Sequence, residues 1–345
     1  MFIMKRRISQ LTHRSVTDFR AFCCLQLIQA YGIINVNFYP EKILICLNGD
    51  GKMRTENEMY RLILDTAERD ERIRCVYMNG SRTNPSVPKD IFQDYDVVYV
   101  VTDTKPYIED KSWIDRFGER LFMQYPDEHP DFPSDKENFY GWLMQFKDGN
   151  RIDLHVESIP HAQENILNDK LCRILLDKDS ILPKIPEPTD GDYWVKAPSK
   201  AQFSAVCNEF WWCLNNVAKG LWRNEMPYVM DMLNFCVRKQ LEKMLSWKIG
   251  IITNFSVSVG KSGKYMYRWL DENEWNTYLA TYSSADVNEC WDAVFRMCDL
   301  FDATAQYVGE KLGFAYNNVE SENCMSFLRH VRNLPKDAAE IYYGE

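Results

Sequence analysis

Two aspartates one residue apart, Asp94 and Asp96, stand at the mouth of an apolar run, "DYDVVYVVT". In a strand alternate side chains share a face, so both carboxylates point one way with Cα atoms about 6.5–7 Å apart, while Tyr95 points the other. Carboxylates so placed can share divalent cations. A third acid early in another apolar run, Asp153 in "RIDLHV", would complete an oxygen-lined pocket for two Mg²⁺ ions, since this cation favours a few carboxylates together with substrate phosphates and water. Two such ions clamp the attacking and leaving oxygens of an in-line displacement at phosphorus. About a dozen residues before the first acid come Gly80 and Ser81. Glycine lets the backbone approach a triphosphate closely, and exposed N–H groups with the serine hydroxyl can donate to its oxygens. Arg82 adds positive charge for the same anion.

The elements that must hold these residues are legible around them. "MRTENEMYRLILDTAERDERI" carries Met59, Leu62, Ile63, Thr66 and Ala67 at three- and four-residue spacing, the signature of an amphipathic helix. "RIRCVYMNG" reads as a strand ending at Gly80, and "DYDVVYVVT" as a second. "WLMQFKDGNRIDLHVESI" reads as a hairpin with a Lys147-Asp148-Gly149-Asn150 turn, which makes Asp153 an early strand residue. Between them "SWIDRFGERLF" is helix-prone and "YPDEHPDFPSDKE" is a polar, proline-bearing loop. The expected unit is mixed α/β over residues 53–182. Prolines and turn formers in 183–199 mark a connection, and from 200 to 345 aromatic and aliphatic residues at helical spacing predict a bundle of about five helices, with Gly220 and Pro227 as interior breakers in the first part. The fold class is therefore α+β. Residues 1–52 lack a sustained period and form an atypical leader; the well-formed start at Met53 leads us to expect a functional protein that begins there.

The bulk composition sets limits. The chain has 345 residues, 46% of them apolar, enough for two packed cores. With 41 Lys and Arg against 50 Asp and Glu, the net charge of −9 argues against coating nucleic acid through a basic face and suits cationic ligands better. Eleven cysteines show no C-x-x-C and no zinc spacing, and so read as reduced core residues. No apolar run reaches the roughly 18 residues of a membrane helix, which with the reduced thiols predicts a bacterial cytoplasmic protein without a membrane partner. The absence of heptads leaves oligomeric state open. "GKS" at 260–262 is no P-loop, because Phe255 stands where that motif needs glycine. His155 and His161 lack further ligands at sensible spacing for a metal site.

The order strand, Gly-Ser, D-x-D, later strand acid resembles the nucleotidyltransferase superfamily. From Met53 onward the chain resembles the aminoglycoside 6-adenylyltransferases, the streptomycin-modifying enzymes, through "ERDERIR", "GSRTN", "FQDYDVVYVVTD", "NRIDL", "LLDKDS", "CNEFWW", "KGLWRNE", "MLSWKIG" and "SVGK". The resemblance implies a polymerase-beta-like nucleotidyltransferase domain followed by a helical substrate-binding domain, and transfer of AMP from MgATP to the 6-hydroxyl of streptomycin with release of pyrophosphate. It implies that Gly80 and Ser81 hold the triphosphate, that Asp94, Asp96 and Asp153 ligate Mg²⁺, and that Asp153 is either general base or mainly metal ligand. Streptomycin carries guanidinium groups, so its pocket should offer carboxylates and flat aromatic faces, for which Glu209, Trp212, Trp222, Glu225 and Asp231 are the candidates. Lys219 is the candidate to reach the triphosphate from the helical domain. Asn79 before the Gly-Ser pair, His155 after the third acid and Met232 depart from the family pattern without touching the acids. Alternatives from other classes are a different aminoglycoside or macromolecular acceptor, and a catalytically silent relative that only binds nucleotide or drug.

Overall fold

The computed structural model describes residues 52–342; the expected leader, apart from Lys52, lies outside the described residues. Helix α1 (Glu56–Arg69) starts where Thr55 and Glu58 form a reciprocal capping box, and its Met59, Ile63, Thr66 and Ala67 are buried as the spacing predicts. Six strands follow: β1 (Ile73–Asn79), β2 (Tyr95–Val101), β3 (Arg120–Gln124), β4 (Phe139–Phe146), β5 (Arg151–Ser158) and β6 (Cys172–Asp177). They form one sheet in the order β3-β4-β5-β2-β1-β6. Only β2 and β5 run parallel; the other neighbours are antiparallel. The fold class read from the sequence is the one observed.

Period-two alternation divides the sheet into two unlike faces. Tyr95, Val97, Tyr99 and Val101 of β2 join Ile152, Leu154 and Val156 of β5 in a core closed by α1. The Tyr99 hydroxyl donates to the Ile63 carbonyl at 2.7 Å, fixing helix to sheet. On the opposite face Tyr77, Val98 and Val100 pack with Ala162 of the short helix α3 (Ile159–Asn165). That face ends in acids.

The expected hairpin is present, with Gly149 of its turn at φ +93°. The helix-prone stretch is corrected. After a short helix α2 (Lys105–Glu109), residues Trp113–Phe117 form only a 3₁₀ turn, Gly118 takes φ +120°, and "RLFMQ" becomes edge strand β3. Pairing with β4 outweighs helix propensity there.

Beyond β6 the chain has no strand or α-helix until 200, only the 3₁₀ turn Gly191–Tyr193. This connection is tied on both sides: Lys170 to Asp192 at 2.5 Å, and Val195 N–H to the Val257 carbonyl at 2.9 Å. The helical part then comprises α4 (Lys200–Arg223), α5 (Met226–Asp231), α6 (Arg238–Ile252), α7 (Glu272–Leu279), α8 (Val287–Leu312) and α9 (Asn318–Asn333). A π-helical turn, Met232–Val237, joins α5 to α6 without a break in the rod. Gly220 is no breaker: it lies inside α4, where a Cβ would come within 2.8 Å of Val229 Cγ2, so glycine lets α5 fold closely against α4. The actual stop is Asn224, left-handed at φ 60°, and Pro227 sits in the first turn of α5, where a missing N–H costs nothing. At the centre of the bundle Phe210 and Phe301 stack with ring centres 3.7 Å apart. The eight described cysteines are all free and mostly buried, as a reduced core requires. Among the described residues no helix is long and apolar enough to cross a membrane.

Candidate active site

Parallel register makes Asp96 and Asp153 direct partners across β2 and β5. Asp94, two residues earlier on the same face, joins them, and one carboxylate oxygen from each of the three lies within 4.8 Å of the others. Among the described residues this is the one group of acids, histidines or cysteines arranged to hold a metal. Asp153 is only 8% exposed. Burial, then the neighbouring charges of Asp94 and Asp153, push the Asp96 carboxyl up to about 7. Three acids so crowded and desolvated call for a cation between them.

Gly80 is required by this packing. Its φ is +75°, and a Cβ there would fall 2.0 Å from Asp96 Oδ2, so the loop can cross the acid only without a side chain. The Gly80 carbonyl accepts from the Thr83 N–H at 3.2 Å and hydroxyl at 2.9 Å, turning the chain sharply at Ser81. Ser81 therefore stands at the edge of the acidic cluster. Arg82, expected to face the phosphates, is engaged otherwise: it donates to the carbonyls of Gln93 and Asp94 at 2.7 and 2.9 Å and lies over the Tyr95 ring at 3.6 Å. It clamps the start of β2. Its charge still favours ionised Asp96, so its contribution to the site is through the loop it holds and through the field.

Arg151 was missed by the sequence reading. Its guanidinium forks onto both oxygens of Asp153 at 2.7 and 2.6 Å and reaches within 3.7 Å of Asp94 Oδ2, so it supplies counter-charge to the cluster. An arginine two residues before a strand acid has no pattern that announces this, although strand alternation places the two side chains on one face. His155, next on that face, stacks on Phe139 at 4.5 Å and lies across Gly141, where a Cβ would meet its ring at 2.3 Å. His161 is held by buried Glu157, which Tyr77 also contacts.

With this geometry established, comparison with known proteins is decisive. A family profile described as streptomycin adenylyltransferase matches residues 53–331. The chain is 41% identical over 265 residues to an aminoglycoside 6-adenylyltransferase of Bacillus subtilis (strain 168), covering 76% of this chain and 93% of the relative. The chain belongs to the streptomycin adenylyltransferase family. A Campylobacter jejuni protein with the same name is 39% identical over 76% of this chain and 91% of its own. A crystal structure of an aminoglycoside 6-adenyltransferase from Bacillus subtilis shares 35% identity over 81% of this chain and all of that one; its superposition is loose, with a TM-score of 0.41, so membership rests on the sequence matches. The protein is thus an enzyme, an adenylyltransferase.

The helical residues expected to meet substrate in this adenylyltransferase are distributed along α4 and α5, from Glu209 to Asp231. Glu209 of α4 accepts from the Cys213 thiol at 3.3 Å, on the side that faces the π turn. Trp212, 65% exposed, lies instead on the α4 side facing α9, in a hollow shared with Glu320 and Phe327. Lys219 and Trp222 continue that side toward the tail after α9: Lys219 donates to Asn216 at 3.1 Å, and the Trp222 N–H donates to the Leu334 and Pro335 carbonyls at 3.2 and 3.3 Å. Glu225 sits at the α4–α5 corner 3.9 Å from Arg223, and Asp231 is exposed at the end of α5. The five acidic and aromatic candidates are therefore spread over more than one face, and Lys219 stands with the α9 group.

Proposed function

We propose that this enzyme transfers AMP from MgATP to the 6-hydroxyl of streptomycin, releasing pyrophosphate. The observation that carries the reading is the meeting of Asp94, Asp96 and Asp153 beside the Gly80-Ser81 turn in a chain of this family. The relatives bear the name aminoglycoside 6-adenylyltransferase, and that acceptor class is carried over to this chain by their similarity.

The three acids fit a divalent cation. Their oxygens are close enough to share one, the raised Asp96 reflects burial and then repulsion from Asp94 and Asp153 that a cation relieves, and Arg151 already answers part of the charge. Asp94, Asp96 and Asp153 would hold Mg²⁺, with two ions in the full site, supplying charge neutralisation for a phosphoryl centre. The chain's own residues do the rest. Gly80 lets the backbone come close and Ser81 offers donors to the triphosphate, while Arg82 keeps Asp94 at the mouth of β2 by binding its carbonyl. Arg151 keeps both oxygens of Asp153 directed along the cluster. As the acceptor oxygen bonds to the α-phosphorus, the acceptor hydroxyl gives up its proton to a base, for which Asp153 is the candidate, and the bond from that phosphorus to the bridging oxygen breaks, so that pyrophosphate leaves.

Incubating the protein with MgATP and streptomycin, and following pyrophosphate release with product mass, tests this reading. Streptomycin heavier by one AMP, formed by the parent and lost by at least about a hundredfold in Asp96→Asn, is the expected result. Folded protein that yields no such product would sink it.

A further inference from the structure

A sizeable hollow lies away from the acids. It is a cavity of about 660 Å³ in the helical half, walled by α4, α6, the connection before α4 and the loop 259–266. Its charge is the unexpected feature in a chain of net charge −9. Lys196, Lys239 and Lys243 line it against a single acid, Glu242. That acid is already engaged, accepting from Lys239 at 2.8 Å and from the Tyr278 hydroxyl at 3.3 Å. Lys243 donates only to the neutral Gln240 side chain at 3.3 Å, and no salt bridge among the described residues holds Lys243 or Lys196. Lys243 is thus left without a carboxylate in this concavity, while Lys196 meets Asp192 only at longer range, that acid being paired with Lys170.

The wall formed by the loop 259–266 is equally unusual. Gly260, Ser262 and Gly263 all take positive φ, 72°, 56° and 72°, and Ser262 and Gly263 line the cavity. The Gly263 N–H donates to the Gly260 carbonyl and the Gly260 N–H to the Ser258 hydroxyl, each at 3.1 Å, so it is the N–H groups of Lys261 and Ser262 that this concave turn can present to an anion. Trp247 and Tyr193 add flat apolar surface between the charges. The same loop continues into Arg268, whose guanidinium donates to the Ser86 carbonyl at 3.3 Å, so the wall of this cavity touches the loop that begins at Gly80 and Ser81.

We propose that this cavity is a polyphosphate-binding site, held by Lys196, Lys239, Lys243 and the backbone N–H groups of Lys261 and Ser262. Partly exposed lysines suit a phosphate chain, which they meet as point charges, and they do not suit a cationic aminoglycoside. The polyphosphate has two sources in the proposed reaction, the triphosphate of ATP and the pyrophosphate released. To that extent the assignment rests on the adenylyl-transfer reading, but the binding itself does not.

The test is calorimetric titration of the full chain in EDTA, with sodium pyrophosphate in one arm and ATP in the other. Without a divalent ion the three aspartates repel either anion, so binding under these conditions reports the lysine cavity. Among the described residues neither lysine of the double variant Lys196→Met/Lys243→Met is in a salt bridge, and Asp192 keeps its pairing with Lys170, so the variant should melt like the parent. Metal-free binding that weakens at least about tenfold in this variant supports the proposal. If both anions bind in this lysine-dependent way, the nucleotide's phosphates enter the cavity; if pyrophosphate alone does, the cavity receives the leaving group. Absence of binding at millimolar anion, or equal affinity in parent and variant, overturns the proposal. Asp96→Asn separates the two readings, because it should stop transfer and leave the metal-free titration unchanged.

Discussion

The acidic end of the sheet and the centre of the helical bundle are built on opposite terms. In the sheet, Asp94, Asp96 and Asp153 are crowded together, Gly80 is pressed against Asp96 in a left-handed turn, and arginines from two directions hold the loops and the charge. In the bundle, Phe210 stacks on Phe301 among mostly apolar side chains, and the polar atom of the neighbouring Trp211 is satisfied by the Tyr316 hydroxyl at 3.0 Å. One region keeps repulsion and tight backbone geometry in place for the sake of a ligand. The other supplies cohesion. The contrast teaches that damage to the first should appear in turnover and damage to the second in stability, and each can be tested against the other.

The largest separation is expected from Gly80→Ala. A methyl 2.0 Å from Asp96 Oδ2 must displace either the acid or the loop, and misplacement on that scale costs about a hundredfold or more in turnover, read by pyrophosphate release. Thermal melting should move far less. Phe210→Ala should do the reverse, lowering unfolding free energy by about 3–5 kcal/mol in urea while kcat per folded molecule stays at the parent value. A loss of kcat in that variant would show the two regions to be coupled.

The acids themselves should weaken the metal-free fold. Asp96 is raised to about 7 from 3.8, so the native state holds a proton that the unfolded chain releases. Stability is then fully present below the unfolded value and declines as pH rises through about 4 to 7, by on the order of 2–4 kcal/mol. Melting curves in EDTA across this range should show the decline, and added Mg²⁺ should remove it. A flat profile in EDTA would mean that the cluster relaxes apart when empty of metal.

The smallest effect is expected at Trp212, which belongs to neither extreme. Being 65% exposed, its replacement by alanine should change stability by less than about 0.5 kcal/mol. If the hollow between α4 and α9 lies on the acceptor's path, the KM for streptomycin rises severalfold, and we expect that rise. An unchanged KM would return Trp212 to the ordinary surface and leave the side of α4 bearing Glu209 as the place to look.

How much was legible in the sequence follows the same division. Strand alternation has a period of two, so Asp94 and Asp96 could be put on one face, and a hairpin turn at 147–150 then set Asp153 early in its strand. The Gly-Ser turn was recognised as a close-approach position, although what it approaches closely is Asp96. Helical spacing says less. It shows that Trp212, Lys219 and Trp222 share a stripe of α4, but only tertiary contacts show that this stripe meets α9 and the tail while Glu209 looks toward the π turn. Arg151 and the lysine cavity were invisible for a related reason. Single cations scattered across 196, 239 and 243 acquire meaning only when a connection, a helix and a loop bring them around one space. The stretch at 113–124 went astray because local helix preference yields to ladder bonds made with a strand some twenty residues later.

The parallel pairing of β2 with β5 makes everything between them an excursion that leaves the line of the acids and returns to it. Edge strand β3, the proline-bearing loop and all of β4 lie on that excursion, and none of them contributes an acid to the cluster. Its return is another matter. Because Asp96 faces Asp153 residue for residue, one inserted amino acid early in β5 would turn Asp153 into the apolar core and bring Ile152 or Leu154 to the acidic face. Lineages and engineers alike can lengthen the mostly exposed stretch of this segment, residues 129–135, provided that β4 keeps its place beside β5 and what comes back keeps the parity of the strand.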